Sequence, residues 1–260
     1  MLALDIDGTL TSSLKKIPEE VVSFLRESQM PICLITGRHF PSIEPLLKQI
    51  DFPYLLALQN GAKVMEMPAQ KVLFTQYLTA DMLPSLLLKC ADPILYSETV
   101  CYWRPGRHTE KMQTYLTKRM NAMSEVWVEI DSLIPSPKKA FPAVKWIVEE
   151  KMVSQILEGL QGIDVEVSSI RDPFDRNFCV VQVTKANKGS IVKWLKNTFG
   201  EPVIAAGDDY NDLSMLENAD ISIAMATAPK EVREVADIIA PSAKEMGIIE
   251  GLSHAFKSWI

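Results

Sequence analysis

Apolar residues follow two different rhythms along this chain. In residues 1–79, and again from 185 onward, they form short and nearly unbroken runs: Leu2–Ile6, Pro31–Ile35, Tyr54–Leu58 and Pro202–Ala206. Runs of that length bounded by Gly, Asn or Asp predict buried strands. Between them, Pro18–Ser28, Pro41–Ile50 and Lys188–Phe199 carry apolar residues at helical spacing, the first opening with a proline in its first turn. Strands alternating with helices predict a parallel sheet covered on both faces.

Residues 80–184 read differently. Ile94–Tyr102, Ala143–Glu149, Asp164–Ser168 and Phe178–Thr184 mix in more polar positions, and Thr109–Met123 and Met152–Leu160 have helical spacing. This predicts a sheet with one wet face and helices on the other. Ile134–Lys139, with two prolines, predicts a loop. The α/β rhythm returns at Asn187 and runs to about Ala236. The simplest architecture is a doubly wound, Rossmann-like α/β core built from 1–79 and 185–260, with a second α/β domain inserted at 80–184.

Composition narrows the partners. A formal charge of −6 argues against general affinity for nucleic acid or an anionic membrane. The four cysteines have neither a zinc spacing nor the pairing of a disulfide framework, so reduced, buried cysteines in a cytoplasmic protein are expected. Nothing resembles a signal peptide, and no apolar stretch approaches the roughly 18 residues of a membrane span.

Four polar segments sit where a core strand ends or a helix begins, the place where open α/β sheets bind ligands. Asp5 and Asp7 close the first strand, and i and i+2 side chains share one side of an extended strand. Two carboxylates so placed call for a cation or a bound proton. Thr36-Gly37-Arg38, Lys188-Gly189 and Gly207-Asp208-Asp209-Tyr210-Asn211-Asp212 are the other three. Together they hold what phosphoryl transfer needs: carboxylates for Mg²⁺, a hydroxyl and amides for phosphate oxygens, and a lysine for charge.

In order and content these segments resemble the four motifs of the haloacid dehalogenase-like hydrolases. Asp5-Ile6-Asp7-Gly8-Thr9 is similar to the Asp-x-Asp-Gly-Thr signature. The closest resemblance is to the class IIB, Cof-type phosphatases, whose α/β cap is inserted between the second and third motifs. Asn60-Gly61-Ala62 resembles the turn toward that cap, and Gly207-Asp208-x-x-Asn211-Asp212-x-x-Met215-Leu216 the fourth motif. The resemblance implies Asp5 as nucleophile, Asp7 as general acid and base, and Mg²⁺ held by Asp5, Asp208 and the Asp7 backbone carbonyl. It implies Thr36, Gly37, Lys188 and Asn211 at the phosphate, with Asp212 orienting Lys188 or a metal-bound water. Thr36 also reads as a helix N-cap, and Lys185 competes with Lys188. Asp209 departs from the small or neutral residue usual in the family; it either faces solvent or joins the metal's surroundings.

In the family the cap reads the leaving group. Arg38, Tyr102, Arg104 and Arg107 are candidate substrate contacts, with packing of aromatics in the cap sheet as the rival reading. His108 lies in the same cluster, His39 could face the cleft, and Ser168, Ser169 and Arg171 could line its mouth. The expected activity is Mg²⁺-dependent hydrolysis of small phosphorylated metabolites, sugar phosphates first, by a monomer or dimer. Two alternatives stay open: a dedicated sucrose-phosphate or mannosyl-phosphoglycerate phosphatase, and a catalytically silent ligand-binding or regulatory protein on the same fold.

Overall fold

The computed structural model describes residues 1–13, 15–87, 91–104, 109–122, 125–131, 140–172 and 174–258. They form two compact units. One comprises Met1–Arg38, Ile43–Phe74 and Ala186–Ile260; the other comprises His39–Ser42 and Thr75–Lys185.

The chain begins with β1 (Leu2–Asp5), α1 (Glu19–Glu27), β2 (Ile32–Ile35), α2 (Phe40–Leu47), β3 (Tyr54–Leu58), β4 (Lys63–Met67) and β5 (Lys71–Thr75). It continues through α3 (Leu83–Leu86), β6 (Ile94–Tyr96), β7 (Val100–Trp103), α4 (Glu110–Ala122) and β8 (Val126–Glu129). Then come β9 (Ala143–Glu149), α5 (Val153–Gly159), β10 (Glu166–Arg171) and β11 (Phe178–Thr184). It closes with α6 (Lys188–Phe199), β12 (Ile204–Gly207), α7 (Leu213–Asn218), β13 (Ile221–Met225), α8 (Lys230–Glu234), β14 (Ile238–Ala240) and α9 (Ile248–Ser258).

The first unit carries an eight-stranded sheet in the order β14-β13-β12-β1-β2-β3-β4-β5. From β14 to β3 every pairing is parallel, and β4 returns antiparallel to β3. β1 lies between β12 and β2, with Leu4 opposite Ala206 and Asp5 opposite Ile35. Ala3, Cys33, Ala205 and Ala224 of the strands pack with Ile191 and Leu195 of α6 and Met215 of α7. Each such large aliphatic side chain contributes about 1.5–3 kcal/mol by leaving water. On α9, a Cβ at Gly251 would come within 2.9 Å of Ala240 and of Ile223, so that helix lies directly against β13 and β14. A crossover connection that buries both faces explains why these strands are apolar throughout.

The second unit is a six-stranded mixed sheet, order β10-β11-β9-β6-β7-β8, antiparallel except between β7 and β8. The expectation of one wet face fails here. β11 is buried along its whole length. Val181 and Val183 join one apolar cluster with Leu86 of α3 and Ile156 of α5, while Phe178 and Val180 join another with Met112 and Leu116 of α4. Of the segments that suggested a wet face only Asp164–Ser168 falls on an edge strand, β10, while Lys145 of β9 and Gln182 of β11 are buried. The expected strand Ile94–Tyr102 is two strands, β6 and β7, turned at Ser97, whose amide and hydroxyl both donate to the Val100 carbonyl. The sequence reading also passed over β4, β5 and β8. The expected loop at 134–139, together with Arg107, His108 and Cys90, lies outside the described residues. Among the described residues no helix is long and apolar enough to cross a membrane.

Candidate active site

Three neighbouring parallel strands, β12, β1 and β2, end side by side, so their following loops meet at the carboxyl edge of the sheet. Asp5 is the last residue of β1 and is 5% exposed. Lys188 opens α6, whose first turn is capped by the Asn187 side chain accepting from the Ser190 amide. The lysine is fully buried, and its Nζ donates to Asp5 Oδ1 at 2.5 Å and to Asp212 Oδ1 at 2.5 Å. Burial works against its charge, but Asp212 and Asp5 together hold it above the ordinary lysine range. Lys185, its competitor in the sequence, instead pairs with Asp164 in the second unit.

Asp212 is itself fixed from behind. Its Oδ2 accepts from the amides of Asp208 at 2.9 Å and Asp209 at 3.1 Å, which shapes the loop after β12. That loop also requires two glycines. A Cβ on Gly207 would stand 2.4 Å from Asp212 Cβ, and one on Gly8 would stand 1.9 Å from Asp208 Oδ2. Gly8 has φ +90°, which L residues rarely adopt. The loop after β1 can therefore pass directly beneath the Asp208 carboxylate.

The carboxylates of Asp5, Asp208 and Asp212 each bring one oxygen to within 4.8 Å of the others. Burial pushes the Asp5 carboxyl up to about 8, against the pull of Lys188 and with the push of Asp212 and Asp7. Burial likewise raises Asp208 to about 9, helped by Asp5, Asp212 and Asp209. Asp5 Oδ2 is buried without a hydrogen-bond partner. Crowded carboxyls that favour a proton, beside an orphaned oxygen, suit a hard divalent cation with oxygen ligands.

Asp7 lies on the more open side. Arg38 grips it with two donors, Nε to Oδ2 at 2.8 Å and Nη2 to Oδ1. Arg38 entered the sequence reading as a candidate substrate contact; here it is engaged with Asp7. The parallel neighbours β1 and β2 bring the two together, a pairing that emerges only once strand order is known. Thr36 is 1% exposed and its Oγ1 accepts from the Arg38 amide at 3.1 Å, so it shapes this turn. It does not cap α2, which starts four residues later. Asn211 Nδ2 approaches Asn60 Oδ1 at 3.4 Å, and Asp209 caps the turn at Tyr210 through its own side chain.

The candidates in the second unit are tied up differently. The Tyr102 ring packs edge-on against Phe141, and Arg104 makes a two-donor grip on Asp92 at 2.7 and 2.6 Å. Arg171 pairs with Glu150, and His39 is buried against Glu125 and Tyr96.

Residues 2–252 match the haloacid dehalogenase-like hydrolase family. A Haemophilus influenzae protein assigned as a phosphatase is 26% identical over 262 residues, spanning 97% of this chain and 96% of that one. The pyridoxal phosphate phosphatase YbhA of Escherichia coli is 22% identical over 259 residues, covering 92% of each chain. Among solved structures, a haloacid dehalogenase-like hydrolase from B. subtilis superposes with TM-score 0.79 at 19% identity, over 97% of this chain and 98% of that one. A subclass IIB sugar phosphatase gives TM-score 0.76 at 22% identity, over 97% of both chains. With its parallel core, its mixed-sheet cap and the match along nearly its whole length, the chain belongs to the haloacid dehalogenase-like hydrolases, as a phosphoric monoester hydrolase.

Proposed function

We propose that this enzyme hydrolyses sugar phosphates through a phosphorylated Asp5, with Mg²⁺ held by Asp5, Asp208 and the Asp7 carbonyl. The observation that carries the reading is the buried Lys188 shared between Asp5 and Asp212, next to the unpartnered Asp5 Oδ2. When bound, the ion supplies charge neutralisation for the nucleophile and the phosphoryl oxygens. Lys188 pulls Asp5 toward its ionised form, which the cation would complete, and can offer a proton of its ammonium to a phosphoryl oxygen. Thr36, Gly37 and Asn211 present a hydroxyl, an amide and a carboxamide to the same group. Asp7 donates its proton to the departing alcohol and then takes one from the water that cleaves the acyl phosphate. Arg38 orients the ionised Asp7, since a two-pronged guanidinium contact fixes direction as well as distance, and one prong yields when Asp7 carries the proton.

Sugar phosphates lead because a solved relative of this cap type is a sugar phosphatase. The relative that acts on pyridoxal phosphate, and a Bacillus subtilis relative that acts on 5-amino-6-(5-phospho-D-ribitylamino)uracil, support heterocyclic phosphates as the second reading. Phosphate release across sugar, nucleotide and cofactor phosphates, with Mg²⁺ and with EDTA, decides between them. Mg²⁺-dependent release confined to sugar phosphates supports the first reading, and release confined to ring phosphates the second. Silence across the panel from folded protein would overturn both.

A further inference from the structure

The second unit buries a polar cluster for which the phosphatase chemistry has no use. His39, Cys101 and Glu125 each present one donor atom, and all three atoms lie within 4.8 Å of one another. His39 is 2% and Cys101 0% exposed, and the Glu125 side chain is 3% exposed. Adjacent strands assemble them: Cys101 lies in β7 opposite Trp127 of β8, Glu125 immediately precedes β8, and His39 belongs to the short segment that clusters with this unit.

His39 Nδ1 stands 3.4 Å from Glu125 Oε1. That is long for a hydrogen bond, yet N and O ligands at about 2.0–2.1 Å from a tetrahedral ion also lie about 3.4 Å apart. Around them His39 Nε2, Glu125 Oε2 and Trp127 Nε1 are all buried without a hydrogen-bond partner, and the Tyr96 hydroxyl lies beside the Cys101 thiol. The Tyr96 ring contacts both His39 and Trp127, so these orphaned atoms share one neighbourhood. Buried polar atoms are rarely left unsatisfied, and a group of them implies a missing partner.

Charge on the site is also informative. Lys145 Nζ sits 4.5 Å over the Tyr96 ring, while Arg119 is paired with the buried Asp172. Cys101 is a free, buried thiol, with a proton to give up. A divalent ion would displace that proton to solvent, and thiolate plus carboxylate would then balance its two charges.

We propose that His39, Cys101 and Glu125 form a second, structural metal site, whose nitrogen, sulfur and oxygen donors select zinc over magnesium. It is separate from the carboxylate site of Asp5 and Asp208 and takes no part in phosphoryl transfer.

The test uses the full chain, stripped with a chelator, incubated with zinc and dialysed against Mg²⁺ buffer. Elemental analysis should find one retained zinc per chain. Cobalt(II) in its place should give a thiolate-to-cobalt charge-transfer band in the near ultraviolet. Cys101→Ser should lose both, Glu125→Gln should lose the retained zinc, and Asp208→Asn should keep both. If Cys101→Ser does not fold, the cobalt band of the unmodified chain and the Glu125→Gln measurement still decide. No retained zinc and no cobalt band would overturn the proposal, leaving a buried contact between His39 and Glu125. Zinc that is lost with Asp208→Asn but kept by Glu125→Gln would overturn it too, by moving the ion to the active site.

Discussion

The two units treat their charged residues in opposite ways. In the first, Lys188, Asp5 and Asp212 are buried at the ends of neighbouring elements, and the set still leaves an oxygen of Asp5 unmatched. In the second, outside the His39–Cys101–Glu125 cluster, charges close on each other in pairs: Arg104 with Asp92, Arg171 with Glu150, Lys111 with Glu149, and Arg119 with the fully buried Asp172. An unmatched buried charge costs several kcal/mol. It persists where a ligand restores the balance, which is one reason perturbed groups gather at functional sites. A closed pair serves the fold and asks nothing of a ligand. On the proposed reading the same residue types serve catalysis in one sheet and packing in the other.

Substitutions can break this contrast at several strengths. Asp5→Asn removes the proposed nucleophile and should lower Mg²⁺-dependent kcat on the order of 10⁴- to 10⁶-fold, measured as phosphate release at saturating substrate. Asp7→Asn should slow turnover of substrates with poor leaving groups by roughly 10²- to 10⁴-fold, while Mg²⁺ affinity by titration calorimetry stays close to the parent's. Normal turnover in that variant would remove Asp7 from its acid role. In the other unit, Asp172→Ala strands the Arg119 guanidinium and should cost about 3–5 kcal/mol in urea unfolding. Arg171→Ala, by contrast, breaks the exposed pair with Glu150 and should cost roughly 0–1 kcal/mol.

pH sharpens the comparison further. Asp5 rises from 3.8 to about 8, and Asp208 from 3.8 to about 9. A carboxyl whose folded-state value lies above its unfolded one favours folding at low pH, and that contribution is lost as pH climbs through the folded value. The Tm of metal-free protein should therefore fall between pH 5 and pH 9. Mg²⁺ must displace the same protons, so its affinity should rise across that range. A metal-free Tm that rises toward pH 9 would show that Asp5 and Asp208 are already ionised without a cation.

Much of the core was legible because parallel sheets place chemistry in short segments beside a strand end. Asp5, Lys188 and Asp208 could each be picked from a few contiguous residues. The Arg38–Asp7 grip could not, because it depends on β1 and β2 being neighbours. Nor could the approach of Gly8 to Asp208, which spans two hundred positions and is visible only as a clash awaiting a Cβ. The second unit misled for a related reason. Polar residues on the edge strand β10, and Lys145 and Gln182 on β9 and β11, suggested a wet face, although these inner strands are covered on both sides. Periodicity reports how a residue alternates, not whether its strand lies inside or at the border of a sheet.

Asp212 divides its two oxygens between unlike tasks, one toward Lys188 and one toward the amides of Asp208 and Asp209. Every one of these partners is a donor. Asparagine has the same shape but only one accepting end, so either way round it turns an NH₂ group toward a donor. No isostere resolves this frustration, because both demands are for an acceptor. The position that holds the lysine and the position that folds the loop are thus a single choice, open only to a carboxylate.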